Sequence, residues 1–166
     1  RCPQRAGVMR QALEAARAAG LPVLQHCEDA SLAAGGAVHE GPGTAGCGLT
    51  TQPGAAEYVL LARDLELVRL TGARYHVAHL STARAVELLR AAKAEGLSVT
   101  AEVTPHHLTL TDEICRGGDP QTKVNPPLRG LADRETLRAA LADGTIDAIA
   151  TDHAPHATAD KTGSIE

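Results

Sequence analysis

Aromatic side chains are nearly missing from this sequence: it has no Phe, no Trp and two tyrosines, Tyr58 and Tyr75. The net charge is −4, and no stretch concentrates Lys and Arg on one side. A nucleic-acid surface needs stacking platforms and a basic track, so that class is excluded. No apolar run approaches the ~20 residues that span a bilayer, so no membrane partner is expected. The first residues, Arg-Cys-Pro-Gln-Arg, contain no apolar signal segment and no initiator Met. They read as a cut inside a longer chain, and the cytoplasm is the expected setting. Cysteines are few, at 2, 27, 47 and 115. None stands in a Cys-x-x-Cys pair, which argues against a thiolate zinc site and for reduced thiols.

What is present is ordinary globular material. Apolar residues make up 43% and charged residues 22%, and 166 residues suit one domain, 1–166. Four segments share one pattern: an Ala/Leu/Arg/Glu-rich run, a glycine, then a short β-prone run. Helices are expected over 4–19, 55–71, 82–95 and 133–143, closed by Gly20, Gly72, Gly96 and Gly144. Strands are expected over 21–26, 74–79, 97–104 and 145–151. Glycine suits a helix end because that position often takes the left-handed conformation. In the third helix Ala83, Val86, Leu89 and Ala92 are expected to share a face. Strands alternating with helices imply a parallel α/β sheet, open or closed into a barrel.

Two connections break the rhythm. Residues 27–53 are rich in Gly, Thr and Pro, and 105–131 hold Pro105-His-His107 and Lys123-Val-Asn-Pro-Pro-Leu-Arg129. Loops this long are usually functional or disordered, and both follow a strand's C-terminal end, where α/β folds bind ligands. His26, His79 and Asp152 each end a strand. A parallel sheet points such ends to one side, and two imidazoles with a carboxylate suit zinc or a similar divalent ion. Taken alone, each has a plainer explanation. A strand-end His is more often a satisfied polar group, and an Asp there is commonly a turn or cap residue. The same place in three of four units is what favours a metal site.

Ala150-Thr-Asp152-His-Ala-Pro155-His156, with Lys161 five residues beyond, is far more specific. It resembles the C-terminal signature of dihydroorotases. His26-Cys-Glu-Asp29 resembles that family's segment after the fifth barrel strand, and His76-Val-Ala-His79-Leu-Ser-Thr82 the segment at the sixth. Glu102-Val-Thr-Pro-His-His107-Leu and Lys123-Val-Asn-Pro-Pro-Leu-Arg129 resemble the two blocks after the seventh. The tail Thr162-Gly-Ser-Ile-Glu166 has no counterpart in that pattern.

The resemblance implies the fold: a partial TIM-type (β/α)8 barrel, about strands five to eight with their helices. It also implies two divalent ions, usually zinc. His26 and His79 would bind one ion. Asp152 would bind the other and act as general base and acid. His79 is preferred to His76 because it directly precedes the loop; His76, three residues earlier, points away and reads as structural. Asn125 and His156 match positions that contact the substrate ring and its carboxylate. His107 and Lys123 read as buried or loop-fixing polar groups. The family's His-x-His pair, its fourth-strand carboxylate or carboxylated Lys, and its substrate-binding Arg have no counterpart in this sequence.

The activity so implied is the reversible, metal-dependent cyclisation of N-carbamoyl-L-aspartate to dihydroorotate in pyrimidine synthesis, a small-molecule substrate. The isolated 166-residue chain is expected to be inactive. A hydantoinase- or allantoinase-like activity shares the ligands and is the alternative on the same fold. A non-catalytic domain partnering aspartate carbamoyltransferase is a third, opposed by the retention of every ligand this span should hold. A homodimer is the other partner the resemblance allows.

Overall fold

Four helices end where the sequence places glycine. Gly20, Gly72, Gly96 and Gly144 all take left-handed φ, between 66° and 81°, and each precedes a strand by a few residues. The computed structural model describes residues 3–161 and Ile165. Cys2, the expected cut at Arg1 and most of the 162–166 tail lie outside them. In chain order the elements are α1 (Ala6–Ala18), β1 (Pro22–Gln25), α2 (Ala30–Ala33), β2 (Val38–His39), β3 (Thr51–Gln52), α3 (Ala55–Thr71), β4 (Arg74–Val77), α4 (Ala83–Ala94), β5 (Val99–Val103), α5 (Pro105–Thr109), α6 (Leu131–Ala142) and β6 (Ala148–Ile149). Each expected helix and strand is present, and the strands are shorter than expected.

The buried face of α4 differs from the expected one. Ala85, Val86, Leu89 and Ala92 are inside, while Ala83 is half-buried. Steps of three residues fall about 60° short of a full turn, so a strict three-residue series rotates off the face. Ala85 completes it instead.

β1, β4, β5 and β6 form one parallel sheet in that order, with Leu24 beside His76, Tyr75 beside Val99 and Val103 beside Ile149. Sheet order follows chain order without reversal. Helices α1, α3, α4 and α6 pack side by side in the same sequence. Met9, Leu13, Leu61, Val68, Val86, Leu89 and Leu137 meet Tyr75, Val77, Val99, Ala101 and Val103 in one core. A doubly wound sheet would reverse its order and carry helices on both faces. This sheet does neither, which is the arrangement of an arc of a (β/α) barrel. Alternation along the strands turns Leu24, Arg74 and Thr100 to the other, open face.

The two long connections are ordered and clasp each other. His39 of β2 bonds Asp112 through Nδ1 and Oδ2 at 2.9 Å. Arg116 donates to the carbonyls of Gly43 and Ala45. Ala37, Val38, Cys115, Leu128 and Ile165 make a second small core beneath them. Such satellite clusters commonly form under long loops.

Candidate functional site

The expected ligands sit just beyond the strands. β1 stops at Gln25, one residue before His26; β4 stops at Val77, two before His79; β6 stops at Ile149, three before Asp152. The strands are parallel, so all three positions belong to the C-terminal rim of the sheet. His26 continues the phase of Leu24, on the face of the sheet away from the helices. His79 does not continue an alternation at all, because its φ is +35°. Asp152 also lies in the left-handed region, at +50°. Strained backbone on side-chain-bearing residues concentrates at functional sites.

His26 and His79 meet across the rim. Nδ1 of His26 lies 3.0 Å from Nε2 of His79, and the rings stand edge to face with centroids 4.7 Å apart. Two nitrogens bound to one tetrahedral zinc ion at ~2.05 Å lie roughly 3.3 Å apart, so the pair fits a shared ion with little movement. Burial holds the pKa of His79 below the ordinary imidazole value; neighbouring His26 adds to this and Asp152 opposes it. The neutral imidazole is the form that ligates. Nδ1 of His79 is buried without a hydrogen-bond partner among the described residues. Nε2 of His26 faces the Glu28 carboxylate at 3.4 Å, the kind of partner that orients a ligating ring.

Asp152 is exposed, and its charge reaches His79 and His106. Among the described residues, no three His, Cys, Asp or Glu side chains stand close enough together to share one ion. The structure therefore brings His26 and His79 into contact and leaves Asp152 nearby.

His106 is a member of this neighbourhood that the sequence reading passed over. Burial lowers its pKa, Asp152 opposes that shift, and His79 adds to it. Its ring tilts against His107 with centroids 4.6 Å apart. The available signal was positional: α5 begins directly after β5, so its first turn lies on the same rim. His76 instead bonds Thr100 Oγ1 at 2.7 Å and faces Glu102 at 3.2 Å.

Asn125 and His156 line one cavity of about 580 Å³, together with Glu28, Gln52, Lys123 and Lys161. Glu28 links this cavity to the imidazole pair. His156 is oriented by Nδ1 donating to the Ala154 carbonyl at 2.7 Å. Lys123 is exposed on the cavity wall, not buried, and its carbonyl accepts from Lys161. The lining carries two lysines, Lys123 and Lys161, and two acids, Glu28 and Asp160.

Comparison with known proteins follows the same line. The profile of the dihydro-orotase-like family matches residues 3–85. A dihydroorotase of Pelotomaculum thermopropionicum is 56% identical over 156 residues, covering 94% of this chain and 36% of the relative. A dihydroorotase of Syntrophobacter fumaroxidans is 53% identical over 159 residues, with shares of 96% and 36%. The chain thus spans a little over a third of the length of these relatives. Among solved structures, a D-hydantoinase superposes with TM-score 0.80 at 25% identity, covering 93% of this chain and 35% of that one. The L-hydantoinase (dihydropyrimidinase) of Arthrobacter aurescens superposes with TM-score 0.80 at 29% identity, with shares of 94% and 35%.

Proposed function

The chain belongs to the dihydro-orotase-like family, and from that premise we propose that it carries half of the active site of a dihydroorotase, which closes N-carbamoyl-L-aspartate to dihydroorotate and reopens it. The observation that carries this reading is the 3.0 Å approach of His26 Nδ1 to His79 Nε2 at the sheet's C-terminal rim. His26 and His79 would hold one divalent ion and Asp152 a second, both zinc by similarity. When bound, such ions polarise the amide carbonyl and lower the pKa of water.

The chain's own groups do the rest. In the hydrolytic direction, water oxygen bonds to the ring carbonyl carbon and the carbon–nitrogen bond breaks. Asp152 accepts the proton released by the attacking water. It then delivers that proton to the departing ring nitrogen. Asn125 both donates to and accepts from the cyclic ureide. His156, in the same cavity, meets the substrate carboxylate. Glu28 holds the His26 ring through Nε2. The cytoplasm is the setting we propose; no helix among the described residues is long and apolar enough to cross a membrane.

The test is turnover of dihydroorotate and N-carbamoyl-L-aspartate by the full-length protein loaded with Zn²⁺. Asp152→Asn is expected to lower kcat by about 10²- to 10⁴-fold, the usual worth of a positioned acid–base group. A metal-loaded protein that turns over neither compound rules the reading out. The hydantoinase superpositions favour one rival, a hydantoinase-like activity. A panel of dihydroorotate, hydantoins and allantoin separates the two, and faster turnover of an uncharged ring selects the rival.

A further inference from the structure

We propose that Glu57, backed by Arg129, is a positioning residue that holds His79 against His26. The inference rests on reading His79 as a site residue. Among the described residues Glu57 hydrogen-bonds neither imidazole; its charge reaches His79, and its grip runs through the turn that follows His79.

That turn needs an anchor. His79 adopts φ +35°, a conformation that side-chain-bearing residues rarely take and keep only where the surroundings over-determine it. The adjacent residues are pinned on both sides: the Ala78 amide donates to the Gln25 carbonyl at 3.0 Å and the Leu80 amide to the Glu102 carbonyl at 2.8 Å. The next two residues are gripped by one carboxylate. Oε2 of Glu57 accepts from the Ser81 amide at 3.0 Å and from Ser81 Oγ at 2.5 Å. Oε1 accepts from the Thr82 amide at 2.9 Å and from Thr82 Oγ1 at 2.6 Å. All four donors converge on a side chain only 3% exposed.

A buried carboxylate needs compensation, and three sources supply it. Glu57 stands in the first turn of α3. Thr82 is the N-cap of α4, so the same carboxylate also lies at that helix's start. The positive ends of two helices complement a negative charge placed there. The third source is Arg129, itself 3% exposed, whose Nε donates to Ser81 Oγ at 3.0 Å. Burial lowers the Arg129 pKa, and Glu57 leads the carboxylates that oppose the shift. Nη1 of Arg129 has no partner among the described residues, so this guanidinium is held by charge and by Ser81 more than by a full set of bonds.

Proton counting shows why the residue must be a carboxylate. Ser81 Oγ gives its one proton to Glu57 and accepts from Arg129. Thr82 Oγ1 gives its proton to Glu57 and accepts from the Ala85 amide at 3.3 Å. Both hydroxyls are therefore committed as donors. A glutamine at 57 would offer one oxygen and an NH₂ group, turning donors against donors on one side.

The test uses the full chain as wild type and as three variants: Glu57→Gln and Ser81→Ala within the network and, as control, Leu89→Ala. Leu89 is fully buried on α4 and lies outside the network. Two readouts are taken: the NMR cross-relaxation between the His26 and His79 rings, and the Zn²⁺ dissociation constant by calorimetry. Glu57→Gln is expected to abolish the inter-ring signal and weaken Zn²⁺ binding about 10- to 100-fold, the range for partners that orient a ligand. Ser81→Ala is expected to weaken both less. Leu89→Ala is expected to melt lower while keeping both readouts near wild type. Retention of the inter-ring signal in Glu57→Gln and Ser81→Ala, or its equal loss in Leu89→Ala, overturns the clamp. If Glu57→Gln does not fold, Ser81→Ala decides. A wild-type chain with the inter-ring signal but no Zn²⁺ binding sinks the metal reading, and the signal still judges the clamp.

Discussion

His107 lies 2% exposed, with Nδ1 2.7 Å from Thr104 Oγ1 and Nε2 3.1 Å from the Pro126 carbonyl. A carbonyl only accepts, so Nε2 carries the ring proton and Nδ1 accepts from the threonine. A second proton would sit in a dry site facing a committed hydroxyl, and burial drives the pKa down to about 3. The unfolded chain takes up that proton near pH 6.5. Folded stability from this residue is therefore whole above about pH 6.5 and falls as pH drops toward about 3, because only the unfolded state binds the proton in that window. The unfolding midpoint of the wild type should decline across pH 6.5 to 4, and His107→Asn should flatten that decline while starting lower. Parallel curves would show that another group drives the acid response. The loop-fixing role of His107 was legible in Pro105-His-His107. Its partners were not, since Pro126 and Pro127 lie far along the chain and no local spacing marks them. The choice of His79 over His76 rested on its place directly before the loop, and strand alternation served only to turn His76 away; β4 in fact ends at Val77, so His79 has left the strand and alternation does not reach it. His76 does point elsewhere, to Thr100 and Glu102.

At the scale of elements, helix ends were the clearest signal, because each glycine reports a backbone requirement of its own position. Strand ends were read too long. The residues past them keep extended or turn-like sequence, and only pairing with a neighbour decides where a ladder stops. The connections were the least legible. Residues 27–53 and 105–131 hold no periodicity, because their order comes from contacts with each other. Gly43 shows the tightness of that contact: a Cβ built there lies 2.0 Å from Asp112 Oδ1. Asp112 is 1% exposed and tied to His39, so it has little room to retreat. Gly43→Ala is expected to cost about 1–3 kcal/mol, the range for overpacking a filled site. Urea unfolding measures it. A midpoint equal to wild type would mean that the two connections slide apart freely.

At the scale of the whole molecule, the parallel sheet followed from the repeated helix–glycine–strand unit and the barrel-like single helical layer from the family resemblance, but the openness of the other face followed from neither. Parallel sheets ordinarily have both faces covered. Here Leu24 is 65% exposed on the face away from the helices, and β1 and β6 are the outer strands of the sheet. An uncovered apolar position on an outer strand invites association. The isolated chain should therefore sediment as assemblies whose mass grows with concentration. Leu24→Lys should shift it toward the monomer with little change in unfolding midpoint, because a side chain 65% exposed has little packing to lose. The same openness bears on chemistry. A site with one wall has no means to exclude water or to fix a substrate from two sides, and the charge of Asp152 is exposed. The pure 166-residue chain is accordingly expected to show no turnover of dihydroorotate even with excess Zn²⁺, while Zn²⁺ binding, if measured, should be weak and lost in His26→Ala and His79→Ala alike. Hydrolysis by the chain alone would place a complete catalytic set within these residues and would require a different pairing of Asp152 with the imidazoles.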